Sequence, residues 1–190
     1  MAQDYRSNPI LEAALAYWRR LRHGGSLPRR RDIDPSEIPR LLPHLQLIEV
    51  VEGGARFRYR LVGTALVTAF GKEYTGKCLD ELFGGDRLAH ASHVYATVCA
   101  QRRAVFLRNR YSTTRNIDLM ASRLYMPLSD DGASVNVIFG ALTFEWGSGT
   151  AIGMWGGARL DPSTTTLEII DDAADAGCAT DQPTVAAGIG

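Results

Sequence analysis

The residues able to do chemistry in this chain are few. The run TGKCLDELF, Thr75–Phe83, sets Cys78 at the start of a short helical stretch just after Gly76. A helix N-terminus can lower a thiol pKa. Cys78 is therefore a candidate redox thiol, or an attachment point for a photoactive flavin, against the plainer reading of a small packed residue at a turn. His90 and His93 stand three residues apart in a longer helical segment, a spacing at which two imidazoles could share a metal or one could ligate a haem. At 100° per residue they fall about 140–200° from Leu88, opposite the stripe of Leu88, Tyr95 and Cys99. They are expected to face solvent, no third ligand has a fitting spacing, and no metal site is assigned.

Arginine supplies the other candidates. Arg56, Arg58 and Arg60 alternate with Phe57, Tyr59 and Leu61, and with Arg29, Arg30 and Arg31 they could form an anion or nucleic-acid surface. No recognition helix or interleaved aromatic motif accompanies them. The expectation is a solvated sheet face paired with acidic groups, and no nucleic-acid partner. Arg108, Asn109, Arg110 and Arg123 fall on strand segments, where an inward polar group would select a ligand. Both faces of 117–126 carry apolar side chains, which leaves open whether Arg123 or Leu124 points inward. The chain has no GxSxG, GxxxxGK[ST] or HExxH run, and its Gly-Gly pairs are punctuation. No catalytic residue is assigned, and a non-enzyme is expected.

The elements that must position these groups follow from the pattern. The chain has 190 residues, 45% hydrophobic and 22% charged, with a formal net charge of +0: one ordinary globular domain with appendages. Residues 8–23 read as an amphipathic helix capped by Ser7 or Asn8, with Ile10, Leu11, Ala14, Leu15, Trp18 and Leu21 on one stripe. Pro28, Pro35, Pro39 and Pro43 make 24–43 a connector with a short helical turn near 36–42, opened by Asp34. LQLIEVVEGGARFRYRLVG reads as two strands joined at Gly53-Gly54. Short helical pieces follow at 64–70 and 78–83, then a longer helix at 86–101, then strands at about 104–112, 117–127 and 134–145. The last two are joined by Ser129-Asp130-Asp131-Gly132. The final strand is apolar on both faces, which predicts a central strand covered on both sides, with the N-terminal helix as the outer cover. From Gly147 the composition turns to Gly, Thr, Ala and Asp. Ile152, Met154 and Trp155 could add a strand, and residues beyond about 172 read as a disordered tail.

The cysteines Cys78, Cys99 and Cys178 are odd in number and widely spaced, which suits free thiols in a reducing compartment. No signal peptide and no window of ~20 apolar residues is present, so a cytoplasmic bacterial-type protein with no membrane partner is expected.

This order of elements is α+β. Three runs carry a resemblance: LPRRRDIDPSEIPRLLPHLQLIEV (27–50), RFRYRLVGTALVTAFGKEYTGKCLDEL (56–82) and YMPLSDDGASVNVIFGAL (125–142). With them the chain resembles a stand-alone PAS family of alphaproteobacteria, over about residues 15–145. The resemblance implies a sensory fold: a five-stranded antiparallel sheet, with short helices and one longer helix on one face and the N-terminal helix on the other face or on a partner. It implies a domain at 44–146, preceded by the helix and connector at 1–43 and followed by an extension at 147–190. A flavin photoreceptor of this fold is expected to carry its cysteine in a G-x-N-C-R-F-L-Q-like run. Gly76-Lys77-Cys78-Leu79-Asp80-Glu81-Leu82 lacks the asparagine, arginine and glutamine, so neither flavin nor haem is expected as cofactor.

The functional expectation is a sensory or regulatory domain that takes an unknown small molecule and signals through contact with an unknown protein. The alternatives are a small enzyme or carrier using the same pocket, and an interaction module with a filled core. Phe57, Tyr59, Leu61, Tyr95, Val98, Asn109 and Phe139 are the expected pocket wall. Leu11, Leu15, Trp18 and Leu21 are the expected homodimer interface.

Overall fold

A computed structural model describes residues 5–112, 118–146 and 159–170. The N-terminal helix α1 spans Pro9–Arg20, and the Asn8 side chain caps it by accepting from the amides of Ile10 and Leu11. After the connector come strands β1 (Leu45–Val51) and β2 (Arg56–Val62), then the short helices α2 (Thr64–Phe70) and α3 (Leu79–Leu82). Helix α4 (Gly85–Gln101) leads to β3 (Val105–Ser112), β4 (Asp118–Leu128), β5 (Val137–Trp146) and β6 (Arg159–Ile169). The strands form one antiparallel sheet in the order β2-β1-β5-β4-β3-β6.

The sheet has six strands where the sequence suggested five. β6 pairs with β3 from Val105↔Ile169 to Ser112↔Arg159, with an irregularity between Arg108 and Arg110. Its composition hides it. Pro162 has no N–H to give a ladder, and Asp161 turns back to accept from the Ser163 amide and hydroxyl. The hydroxyl of Thr164 accepts from the Arg110 amide where a backbone carbonyl would normally do so. The suggested strand around Ile152, Met154 and Trp155, and the suggested tail beyond 172, lie outside the described residues.

β5 is a central strand covered on both faces, as its unbroken apolar run required. The cover on one face is α1. Leu11, Leu15 and Trp18 are buried against their own sheet, and Leu21 packs at the edge of the same cluster. This corrects the homodimer stripe: those side chains are spent inside the chain, and a dimer would have to use another face. The Trp18 indole N–H donates to the Pro127 carbonyl at 2.9 Å, and Asn8 Nδ2 donates to Thr143 Oγ1 at 3.0 Å. β3 pairs with β4 only as far as Tyr125, so Pro127 lies beyond that ladder, where a proline costs no strand bond.

Register decides which side chains face α1 and which face α2–α4. Directly opposite residues share a face, so the pairs Leu47↔Phe139 and Phe139↔Met126 lie on one side, where the Phe139 ring packs 6.4 Å from that of Tyr17. Phe139 was expected in the pocket; it belongs to the α1 layer. Leu61 is corrected for a related reason. Pairing between β1 and β2 shifts between Leu47 and Ile48, so Ile48 faces Tyr59 while Leu47 faces Leu61. Past that bulge the alternation of β2 inverts, and Leu61 lies on the opposite face from Tyr59, 37% exposed.

Candidate ligand pocket

Between the sheet and α4 lies a cavity of about 40 Å³. Its floor comes from β3 and β4, whose alternation puts Leu107, Asn109 and Tyr111 on the same side as Arg123 and Tyr125 through the pairs Val105↔Tyr125, Leu107↔Arg123 and Asn109↔Ala121. Tyr59 and Gln46 close it from β2 and β1, Val94 and Tyr95 from α4, and Leu160 from β6. Phe83, Arg87, His90 and Leu160 are only half-buried, which places the mouth between the start of α4 and β6.

Arg123 is the central group. It is 3% exposed and points inward, which answers the orientation that the apolar pattern of its strand left open. Its Nη1 donates to Asn109 Oδ1 at 2.7 Å and its Nη2 to the Tyr111 hydroxyl at 2.7 Å. Asn109 is fixed in turn, its Nδ2 donating to Thr165 Oγ1 of β6 at 2.7 Å. A planar guanidinium held by two neutral acceptors has a fixed direction, which suits recognition of a planar partner. The Tyr111 ring meets two cations, with the Arg123 Cζ 5.1 Å and the Arg87 Cζ 5.6 Å from its centroid.

Phenols fill most of the remaining space. The Tyr59 and Tyr95 hydroxyls are 3.1 Å apart. The Tyr95 ring meets Phe57 and Tyr125 edge-on at 5.2 and 5.1 Å. Burial raises the pKa of Tyr59, Tyr95 and Tyr125, so all three are neutral donors at physiological pH. His90 turns the same way: burial first, then the Arg123 charge, hold its pKa below the ordinary 6.5. Its Nε2 is buried without a hydrogen-bond partner among the described residues.

The expected wall residues divide into three groups. Tyr59 and Tyr95 line the cavity. Asn109 is fully buried behind it and orients Arg123, while Phe57 and Val98 pack in the core beside it. Leu61 and Phe139 belong to the other face of the sheet. His90 was expected to face solvent and is corrected. The buried stripe of α4 centres on Val94 and Val98, roughly 100° around the helix from Leu88, and His90 flanks that stripe. Gln46, Arg87, Tyr111, Tyr125 and Leu160 were not anticipated. Tyr111 was within reach, since it shares the odd-numbered face of β3 with Asn109.

The other candidates take quieter places. Cys78 is 8% exposed at the cap of α3, its amide donating to Glu81 Oε2 at 2.6 Å. The Arg56 and Arg58 guanidiniums are occupied by Asp80 and Glu49 at 2.9 and 2.8 Å, the paired face that the sequence suggested. No helix among the described residues is long and apolar enough to cross a membrane.

No curated protein matches the chain. A family model described as PAS domain matches residues 6–143, a span that begins just before α1 and ends within β5. It holds every cavity-lining residue except Leu160. With that match over most of its length and an α+β fold of antiparallel sheet and few helices to accompany it, the chain belongs to the PAS domain family.

Proposed function

We propose that this protein is a sensory or regulatory module that binds a small molecule between the sheet and α4 and signals its occupancy by contact with another protein. The observation that carries the reading is Arg123: a buried guanidinium, oriented by Asn109 and Tyr111, on the wall of a cavity inside the core. Burying a charge is costly, and a core that only had to pack would do as well with an apolar side chain of that size.

The change in shape would be a population shift. α2 and α3 are short, and the segment between them bends at Gly71 and Gly76, both with positive φ. Phe83, at the end of α3, stands at the cavity mouth. A ligand seated beside Arg87 would favour one placement of Phe83 and α3 over others, and the surface of these helices would carry the signal. The module is proposed to be of the alphaproteobacterial kind and to act in the cytoplasm, without catalysis of its own.

The test is native mass spectrometry of the full chain purified from its host, paired with hydrogen exchange. A bound mass is expected, together with slower exchange in α3 and α4 when the small-molecule fraction of a host extract is added. Exchange left unchanged by that fraction, in a protein that carries no bound mass, would refute the sensor reading in favour of a ligand-free interaction module.

A further inference from the structure

The cavity wall is rich in one kind of group. It carries the guanidiniums of Arg87 and Arg123, the imidazole of His90, the Gln46 amide and four phenols, and no aspartate or glutamate lines it among the described residues. The two guanidiniums share the Tyr111 ring, so two like charges are brought together in a poorly hydrated space. Burial, and then the charge of Arg123, lower the pKa of Arg87. An anion placed between them would relieve that repulsion. The Nε2 of His90 is a buried polar atom awaiting a partner on the same wall.

Size and shape narrow the class. At about 40 Å³ the cavity has room for roughly three waters, the scale of a head group with a short tail and far below that of a haem or an isoalloxazine. Val94, Leu107 and Leu160 make one side of the wall apolar. A phosphate wants donors on every side, whereas a carboxylate presents one planar charged edge to a guanidinium fork and an alkyl end to apolar carbon. We propose that the pocket takes the carboxylate of a short-chain organic acid, with its charge between Arg87 and Arg123 and its tail against Val94, Leu107 and Leu160. This rests on the sensor reading of the same cavity and adds the ligand class.

The experiment is an NMR titration of the full chain labelled with 15N-histidine. The probes are sodium propionate, sodium phosphate and propionamide, the last a neutral match for propionate in shape, at constant ionic strength. Propionate is expected to shift the His90 ring signals saturably, leave exposed His23 in place and bind at least tenfold more tightly than propionamide. Arg87→Gln and Arg123→Met should each weaken propionate at least tenfold. Arg87 lies at the mouth, so its variant keeps the test decisive if Arg123→Met fails to fold. Equal binding of propionamide, tighter binding of phosphate, or propionate affinity unchanged in Arg87→Gln overturns the carboxylate and leaves the sensor pocket standing. A His90 signal that none of the three probes moves also overturns the carboxylate, while the sensor reading falls only if the chain in addition carries no bound mass and its exchange ignores the host extract.

Discussion

Removing the indole of Trp18 should unfold this protein before it alters any assembly. Trp18 is fully buried between α1 and the sheet, and its N–H holds the Pro127 carbonyl at 2.9 Å. Trp18→Ala removes the largest fully buried side chain of the α1 layer, and truncations of that kind cost about 3–5 kcal/mol. A single domain is stable by only about 5–15 kcal/mol, so the variant should lose a large part of its margin. At a urea dependence of about 2 kcal/mol per molar, a loss of ~4 kcal/mol lowers the midpoint by about 2 M. Trp18→Phe keeps most of the volume and leaves the carbonyl unsatisfied, which costs about 1–3 kcal/mol, so its midpoint should fall between those of the parent and Trp18→Ala. Urea melts followed by circular dichroism give both numbers, and light scattering gives the oligomeric mass. An Ala variant whose midpoint stays within about 0.5 M of the parent while its mass halves would refute the reasoning and restore α1 as a dimer helix.

Three further outcomes are expected. A Cβ at Gly63 would overlap the carbonyl oxygens of Pro43 and Leu42, so Gly63→Ala should destabilise by about 2–3 kcal/mol or more, read from the urea midpoint. The paired hydroxyls of Tyr59 and Tyr95 should each cost about 1 kcal/mol when removed to Phe, and the double variant should cost less than the sum; strict additivity would mean that the two groups do not interact. His90 faces Arg123 and has His93 nearby, and its folded pKa lies below 6.5, so the unfolded chain takes up its proton first. Stability is therefore expected to fall as pH drops below about 6.5 and on through the lowered folded value. An NMR titration of His90 with a midpoint at or above 6.5 contradicts this.

Local pattern was enough for most of the scaffold. Asn8 before Pro9 set the start of α1, and the alternation of Arg56–Tyr59 set the inner face of β2. The hydrophobic run of β5 required cover on both sides and found α1. Pairing information was what the chain withheld. Leu61 and Phe139 were misplaced because a bulge and an inter-strand register, neither written in any one strand, decide their faces. Arg123 is oriented only by its pairing with Leu107. His90 was lost through the choice of Leu88 as the centre of the α4 stripe, when the buried centre lies at Val94 and Val98. β6 escaped because its hydrogen bonds run partly through threonine and aspartate side chains, and a strand so built does not look like one.

That last strand sets one wall of the pocket apart from the rest. The family match ends at residue 143, so Arg87, His90 and Arg123 lie within the matched span. Leu160, and the Thr165 hydroxyl that steadies Asn109, lie on the strand that follows it. This strand is an outer one, mostly exposed along its length. Substitutions confined to this one strand can alter the width of the mouth, and with it the residence time of whatever lodges there, without disturbing the core that folds the protein. The wall built last in the chain is thus the one most open to retuning.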